Sequence, residues 1–192
     1  MIQDFYCEYL CKRFFLSARG FACALQRQKE RSIEQQCMRL LLRQQPVASD
    51  LRMISSALKM ISDMERIGDQ AFDISYLVPL ELKEDEICQK ELLSMGKTAI
   101  QMVKDSVTSY VNHDLDLAYK VMASDDIVDN GFVNIKNELI EAIAKDKTMG
   151  ESYLNALMIA KYFERIGDHA TNIAEWVEYA ITGKHKRLTP KI

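Results

Sequence analysis

Glu65 with Asp69, Glu164 with Asp168, and Asp125 with Asp129 are carboxylate pairs that stand four residues apart. Residues at that spacing share one face of a helix, one turn apart. Like charges so placed cost about 0.2–0.5 kcal/mol when nothing compensates them. A nearby cation removes that cost, and either a metal ion or an arginine would serve. The alternative is a solvated acidic face, which is common on exposed helices.

The first two pairs sit in the same pentapeptide. Glu65-Arg66-Ile67-Gly68-Asp69 recurs letter for letter as Glu164-Arg165-Ile166-Gly167-Asp168. At the same offset of 99 residues, Ala57-Leu58 repeats as Ala156-Leu157, Ala71 as Ala170 and Ile74 as Ile173. A fixed offset with flanking identities indicates an internal duplication. Gly68 and Gly167 fall inside helical patterns, where glycine costs about 1 kcal/mol relative to alanine. A glycine kept there twice implies close approach of another group, through tight helix packing or through the shaping of a site.

The elements that must carry these residues are helices. Ile54, Leu58, Ile61, Met64, Ile67, Ala71 and Ile74 recur every three or four positions. Before them a helix runs from Leu25 to Gln45 and stops at Pro46; Ser49 or Asp50 then caps the next one. Past an acidic joint at Leu80–Glu86, a helix from about Ile87 ends near Asn112-His113. Asp114 caps a long helix reaching Ile143, and Thr148-Met149-Gly150-Glu151 has capping-box spacing before the last helix, which ends at Gly183. The expected class is all-α, two repeated antiparallel three-helix bundles sharing a core. The first repeat spans residues 1–80, the second 81–183, and a basic tail 184–192 follows.

Composition agrees with a helical, folded chain. Of 192 residues 48% are hydrophobic, with only 7 glycines and 3 prolines. The formal net charge of −3 gives no drive toward nucleic acid or an anionic membrane. No apolar run is long enough to span a bilayer. Five cysteines without paired spacing suit a reducing cytoplasm. Cys7 and Cys11 share a helix face but read as buried small side chains, and Ala22-Cys23-Ala24 follows too interrupted an apolar stretch for a signal peptide. His113, His169 and His185 form no cluster and read as surface residues or satisfied partners.

Geometry brings the second-half acids together. In an antiparallel hairpin, facing residues lie at equal distances from the turn. Asp129 is 19 residues before position 148 and Asp168 is 20 after it, so Asp125, Asp129, Glu164 and Asp168 face each other at one level, with Asp126 beside them. Oxygen-only ligation suits Mg, Mn or Ca, and also iron.

Gln44-Gln45-Pro46-Val47-Ala48-Ser49-Asp50-Leu51-Arg52, followed by the two pentapeptides and His169-Ala170, resembles the PhoU family over roughly residues 30–183. The resemblance implies two repeated three-helix bundles. It implies a cytoplasmic accessory protein of the high-affinity phosphate ABC transporter that represses the phosphate-starvation response. Its expected partners are the transporter's ATPase subunit and a sensor histidine kinase at the inner membrane, and it is expected to form a homodimer. The family's acidic motifs lie on the last two helices of each bundle and bind Fe, Zn, Mn or Mg. Carried over, the metal ligands are Asp125, Asp129, Glu164 and Asp168, with Glu65 and Asp69 forming a weaker first site.

One departure stands out. With Ile33 and Cys37 aligned to Ile135 and Leu139, Asp129 corresponds to Arg27 and Asp125 to Cys23. The first half has lost both upstream acids, and Arg27 would occupy the place of a metal. Its first helix is truncated or divergent. Two other classes compete with a regulator that docks. A ferritin-like carboxylate-metal enzyme needs Glu-x-x-His, which this chain lacks. A structural helical module would leave the acids solvated.

Overall fold

The computed structural model describes residues 19–44, 47–77 and 86–184. The Cys7–Cys11 pair, the opening of the first repeat, the acidic joint and the tail beyond Lys184 lie outside them. Five α-helices make up the described chain: α1 (Arg19–Gln44), α2 (Ala48–Leu77), α3 (Glu86–Asn112), α4 (Leu115–Lys145) and α5 (Gly150–Thr182). A 3₁₀ turn, Lys147–Met149, joins the last two. The all-α expectation holds.

Helix ends follow from local chemistry. Asp114 accepts a hydrogen bond from the Leu117 amide at 2.9 Å, capping α4 as expected. Gly183 ends α5 at φ 76°, its N–H donating to the Tyr179 carbonyl at 2.8 Å, which is the left-handed stop that glycine adopts without strain. Three boundaries differ from the sequence reading. α1 begins at Arg19, six residues before Leu25, because Phe21-Ala22-Cys23-Ala24-Leu25 is an unbroken apolar run in which no period marks a start. Ser49 and Asp50 lie inside the first turn of α2, which opens at Ala48. Thr148 does not cap α5. Its amide and hydroxyl both donate to Asp146, at 2.8 and 2.6 Å, and the 3₁₀ turn absorbs the capping group.

The core runs along α5, which lies against α2, α3 and α4. Leu92, Met95 and Met102 of α3, Val121, Val128 and Ile135 of α4, and Ile159, Ile173 and Val177 of α5 are buried together with Met60 of α2. Burying each such side chain contributes about 1.5–3 kcal/mol before the cost of ordering it. α1 packs chiefly on α2. The contrast between equivalent positions shows how differently the halves are covered: Ile135 is 0% exposed and Ile33 is 39% exposed.

α2 and α5 run antiparallel, and two ties set their register. Arg52 Nε donates to the Ala180 carbonyl at 3.4 Å, and Asp63 meets His169 at 2.9 Å. Asp63 lies 11 residues after Arg52, and His169 lies 11 before Ala180. Three residues further along, Arg66 is level with Ile166, so the two pentapeptides lie alongside each other. Tyr110 of α3 donates to the Met53 carbonyl at 2.9 Å and ties the start of α2 to the second half.

Candidate metal centre

Asp125 and Asp129 extend from one face of α4 toward α5, and Asp168 meets them from α5. Each of the three offers a carboxylate oxygen, and these oxygens lie within 4.8 Å of one another. Close helix approach makes this possible. A Cβ on Gly167 would stand 3.3 Å from Asp125 Oδ1 and 3.6 Å from Val128 Cγ1. Gly167 therefore does both things a duplicated glycine suggested: it permits tight packing and makes room for a site carboxylate.

Asp125 is half-buried, and Asp129 and Asp168 reach solvent. Burial, then the neighbouring Asp129 and Asp168 charges, push the Asp125 carboxyl up to about 6; the Thr171 hydroxyl acts weakly the other way. Asp125 Oδ1 and Thr171 Oγ1 are both buried and make no well-formed hydrogen bond, although the hydroxyl stands close enough to act on the carboxyl. Asp129 is raised by partial desolvation at the helix seam and then by Glu164 and Asp126, and Lys161 opposes the shift. Asp168 is raised by desolvation, Glu164 and Asp129, against Lys161 and His169. A clustered set of carboxylates held at raised pKa is a site short of positive charge.

These residues fit a hard cation. Oxygen–calcium bonds are about 2.3–2.6 Å, so opposite ligands of one ion stand roughly 4.6–5.2 Å apart. Oxygens within 4.8 Å of one another lie inside that span and so within reach of one such ion. The orphaned Asp125 Oδ1 is the atom such an ion would satisfy.

Glu164 is close by but not in the set. The Lys161 ammonium, one turn earlier on α5, lies against Glu164 Oε2. The same Lys161 Nζ sits 5.1 Å from the centre of the Phe132 ring on α4. Spacing alone placed Glu164 on the correct face; the lysine three residues before it was the signal that it has a partner already.

In the first half the acids are not gathered. Arg27 Nε lies 3.8 Å from Glu65 Oε1, so the arginine faces the carboxylate as the alignment required, as a long ion pair and not a bidentate one. Arg66 Nη1 is 4.0 Å from Asp69 Oδ2. Glu30, which sequence reasoning passed over, lies near Glu65; desolvation and then the Glu65 charge raise its pKa. Among the described residues, no group of three ligands forms around Glu65 and Asp69.

Beside the acidic group a cleft of about 650 Å³ opens between α2 and α5, with Asp125 and Asp168 at one edge. Arg66 and Gln70 enter it from α2, Arg165 and His169 from α5. Sequence reading gave His169 no role beyond that of a satisfied partner, and Asp63 proves to be that partner.

No described helix is long and apolar enough to cross a membrane. The PhoU domain model matches residues 27–78 and 92–177. The phosphate-specific transport system accessory protein PhoU homolog of Clostridium acetobutylicum is 41% identical over 161 residues, which cover 83% of this chain and 74% of that protein. The Pseudomonas aeruginosa homolog is 36% identical over 162 residues, covering 83% and 67%. The crystal structure of PhoU from Pseudomonas aeruginosa superposes with a TM-score of 0.80 at 34% identity, over 86% of this chain and 80% of that one. With a family model spanning well over half its length and relatives this similar on both sides of the alignment, the chain belongs to the PhoU family.

Proposed function

We propose that this protein is a metal-binding accessory protein of phosphate transport that works by docking, not by turnover. The observation that carries the reading is the convergence of Asp125, Asp129 and Asp168 across the α4–α5 seam, with a buried carboxylate oxygen left without a partner. The names of the relatives support the transport role.

Asp125, Asp129 and Asp168 would hold the ion, of Mg, Mn, Fe or Zn type, with Glu164 available if Lys161 releases it. Glu65 and Asp69 form at most a weaker site. A bound cation would supply the positive charge that three crowded carboxylates need. The rest is shape: long, rigid helices present polar faces to the transporter's ATPase subunit and to a sensor histidine kinase at the cytoplasmic side of the membrane, and the chain pairs as a homodimer.

Affinity capture from cells grown in phosphate-rich medium tests the docking half. Recovery of the phosphate-transport ATPase, identified by mass spectrometry, is expected with the parent. Its absence from both parent and control would rule this reading out. Reproducible ATP or phosphoester hydrolysis, abolished by Asp129→Ala, would replace it with an enzyme.

A further inference from the structure

The duplication places two arginines in one cleft. Arg66 and Arg165 are the same position of the repeated pentapeptide, and the antiparallel pairing of α2 and α5 brings both to the lining of the 650 Å³ opening. Gln70 and His169 are again equivalent positions, four residues further on in each copy, and line the same cleft. Three carboxylates, Asp125, Asp168 and Glu175, line the cleft with the two arginines, but neither guanidinium is held in a close ion pair. Arg66 has only its 4.0 Å contact with Asp69 and keeps 66% of its side chain exposed. Arg165 makes no ion pair among the described residues.

The floor of the cleft has unmet hydrogen bonds. Gln70 is 8% exposed, and its side-chain oxygen has no partner. Thr171 Oγ1 and Asp125 Oδ1, also lining it, are buried without partners. Orphaned buried polar atoms are rare in folded proteins and cost about 1–3 kcal/mol each. Thr171 Oγ1 and Asp125 Oδ1 stand near one another, so the Gln70 oxygen is the orphan that points to a ligand carrying a donor, while the Thr171 hydroxyl can turn toward an acceptor.

We infer that this cleft binds a protonated tetrahedral oxyanion, a phosphoryl group that retains an O–H. The Arg66 and Arg165 guanidiniums donate to its charged oxygens, the geometry that arginine suits best. The Thr171 hydroxyl completes the donors. The ligand's own O–H donates to the orphaned Gln70 Oε1 or to a carboxylate at the acidic edge, Asp125 or Asp168. A carboxylate facing an anion only accepts, so it admits hydrogenphosphate and rejects an oxyanion with no proton, such as sulfate. The inference shares Asp125 and Asp168 with the metal reading, but its cationic half rests on residues that reading does not use.

The test uses the full chain, metal-free and loaded with Mn²⁺, titrated calorimetrically with inorganic phosphate, sulfate and adenosine monophosphate. The variant is Arg66→Gln with Arg165→Gln, two exposed helix positions where glutamine keeps the helix. Saturable phosphate binding that weakens about tenfold or more in the double variant, with unchanged Mn²⁺ content, is the expected result. Sulfate should bind much more weakly than phosphate. Tighter binding of adenosine monophosphate than of phosphate, with the same arginine dependence, assigns the cleft to the phosphoryl end of a larger ligand; weaker binding assigns it to the free anion. Phosphate binding that ignores the arginines, or no saturable binding in either metal state, overturns the inference, as does sulfate binding as tightly as phosphate. A parent that holds no Mn²⁺ but binds phosphate through the arginines keeps this site and removes the metal reading.

Discussion

Asp63 and His169 join the two copies of the repeated segment: Nδ1 of the imidazole donates to Asp63 Oδ1 at 2.9 Å. Asn172 adds a second, longer bond to the same oxygen at 3.3 Å. Both side chains of the pair are largely shielded, with 16% of Asp63 and 23% of His169 exposed. A charge-assisted bond in such a place sets register as well as contributing stability, because sliding α2 along α5 by one turn would strand both groups.

Asp63→Ala should therefore destabilise the fold by about 1–3 kcal/mol, measured by urea unfolding. His169→Ala should cost a similar amount, and the double variant should cost less than the two combined. Simple additivity would show that the contact does not couple the helices.

Replacing Asp129 and Asp168 with alanine should weaken metal binding by about tenfold or more, since even outer-shell losses reach that range. Replacing Glu65 and Asp69 should leave the tight class intact, because Arg27 already faces Glu65 and no third ligand joins them. Chelator competition followed by elemental analysis reads this directly. Two equal tight classes in the parent would mean that the first half is a metal site after all.

Stability should depend on pH through Asp125. Its carboxyl is raised to about 6 from an ordinary 3.8, so the folded state holds the proton more tightly than the unfolded chain. That stabilising contribution is complete below 3.8 and lost as pH rises through about 6. The raised Asp129 and Asp168 act with the same sign. Metal-free protein should thus lose Tm between about pH 4 and pH 6.5, Asp125→Asn should lose less, and a divalent cation should restore most of the loss. Equal losses in parent and variant would remove Asp125 as the cause.

Gly167→Ala is expected to harm the site more than the fold. Alanine gains about 1 kcal/mol of helix propensity, yet its methyl would stand 3.3 Å from Asp125 Oδ1 and push that carboxylate aside. Thermal unfolding should change little while Mn²⁺ affinity falls. Unchanged affinity would show that the glycine serves helix packing alone.

The acidic level was legible without coordinates where it depended on counting. Equal distances from a short turn bring Asp129 and Asp168 together in any antiparallel hairpin, and that is how they lie. Glu164 was counted just as correctly and still falls outside the group, because a lysine one turn away competes for it, and counting does not weigh partners. Arg27 facing Glu65 followed from aligning the halves; the long 3.8 Å contact did not, since it depends on how far apart α1 and α2 settle. The start of α1 was not legible because residues 21–25 are uniformly apolar, and a run without alternation has no period to place a boundary.

The amino-acid sequence by itself determined the helical class, the duplication and the faces on which the acids stand. All three follow from spacing along one chain, and a helix has a single pitch. The register of α2 against α5 was decided only in the tertiary structure. Nothing local relates residue 63 to residue 169, or sets Arg66 beside Arg165. Those neighbours are chosen by which apolar stripes bury each other best, a property of the whole packed core, and the cleft between the pentapeptides exists only once that choice is made.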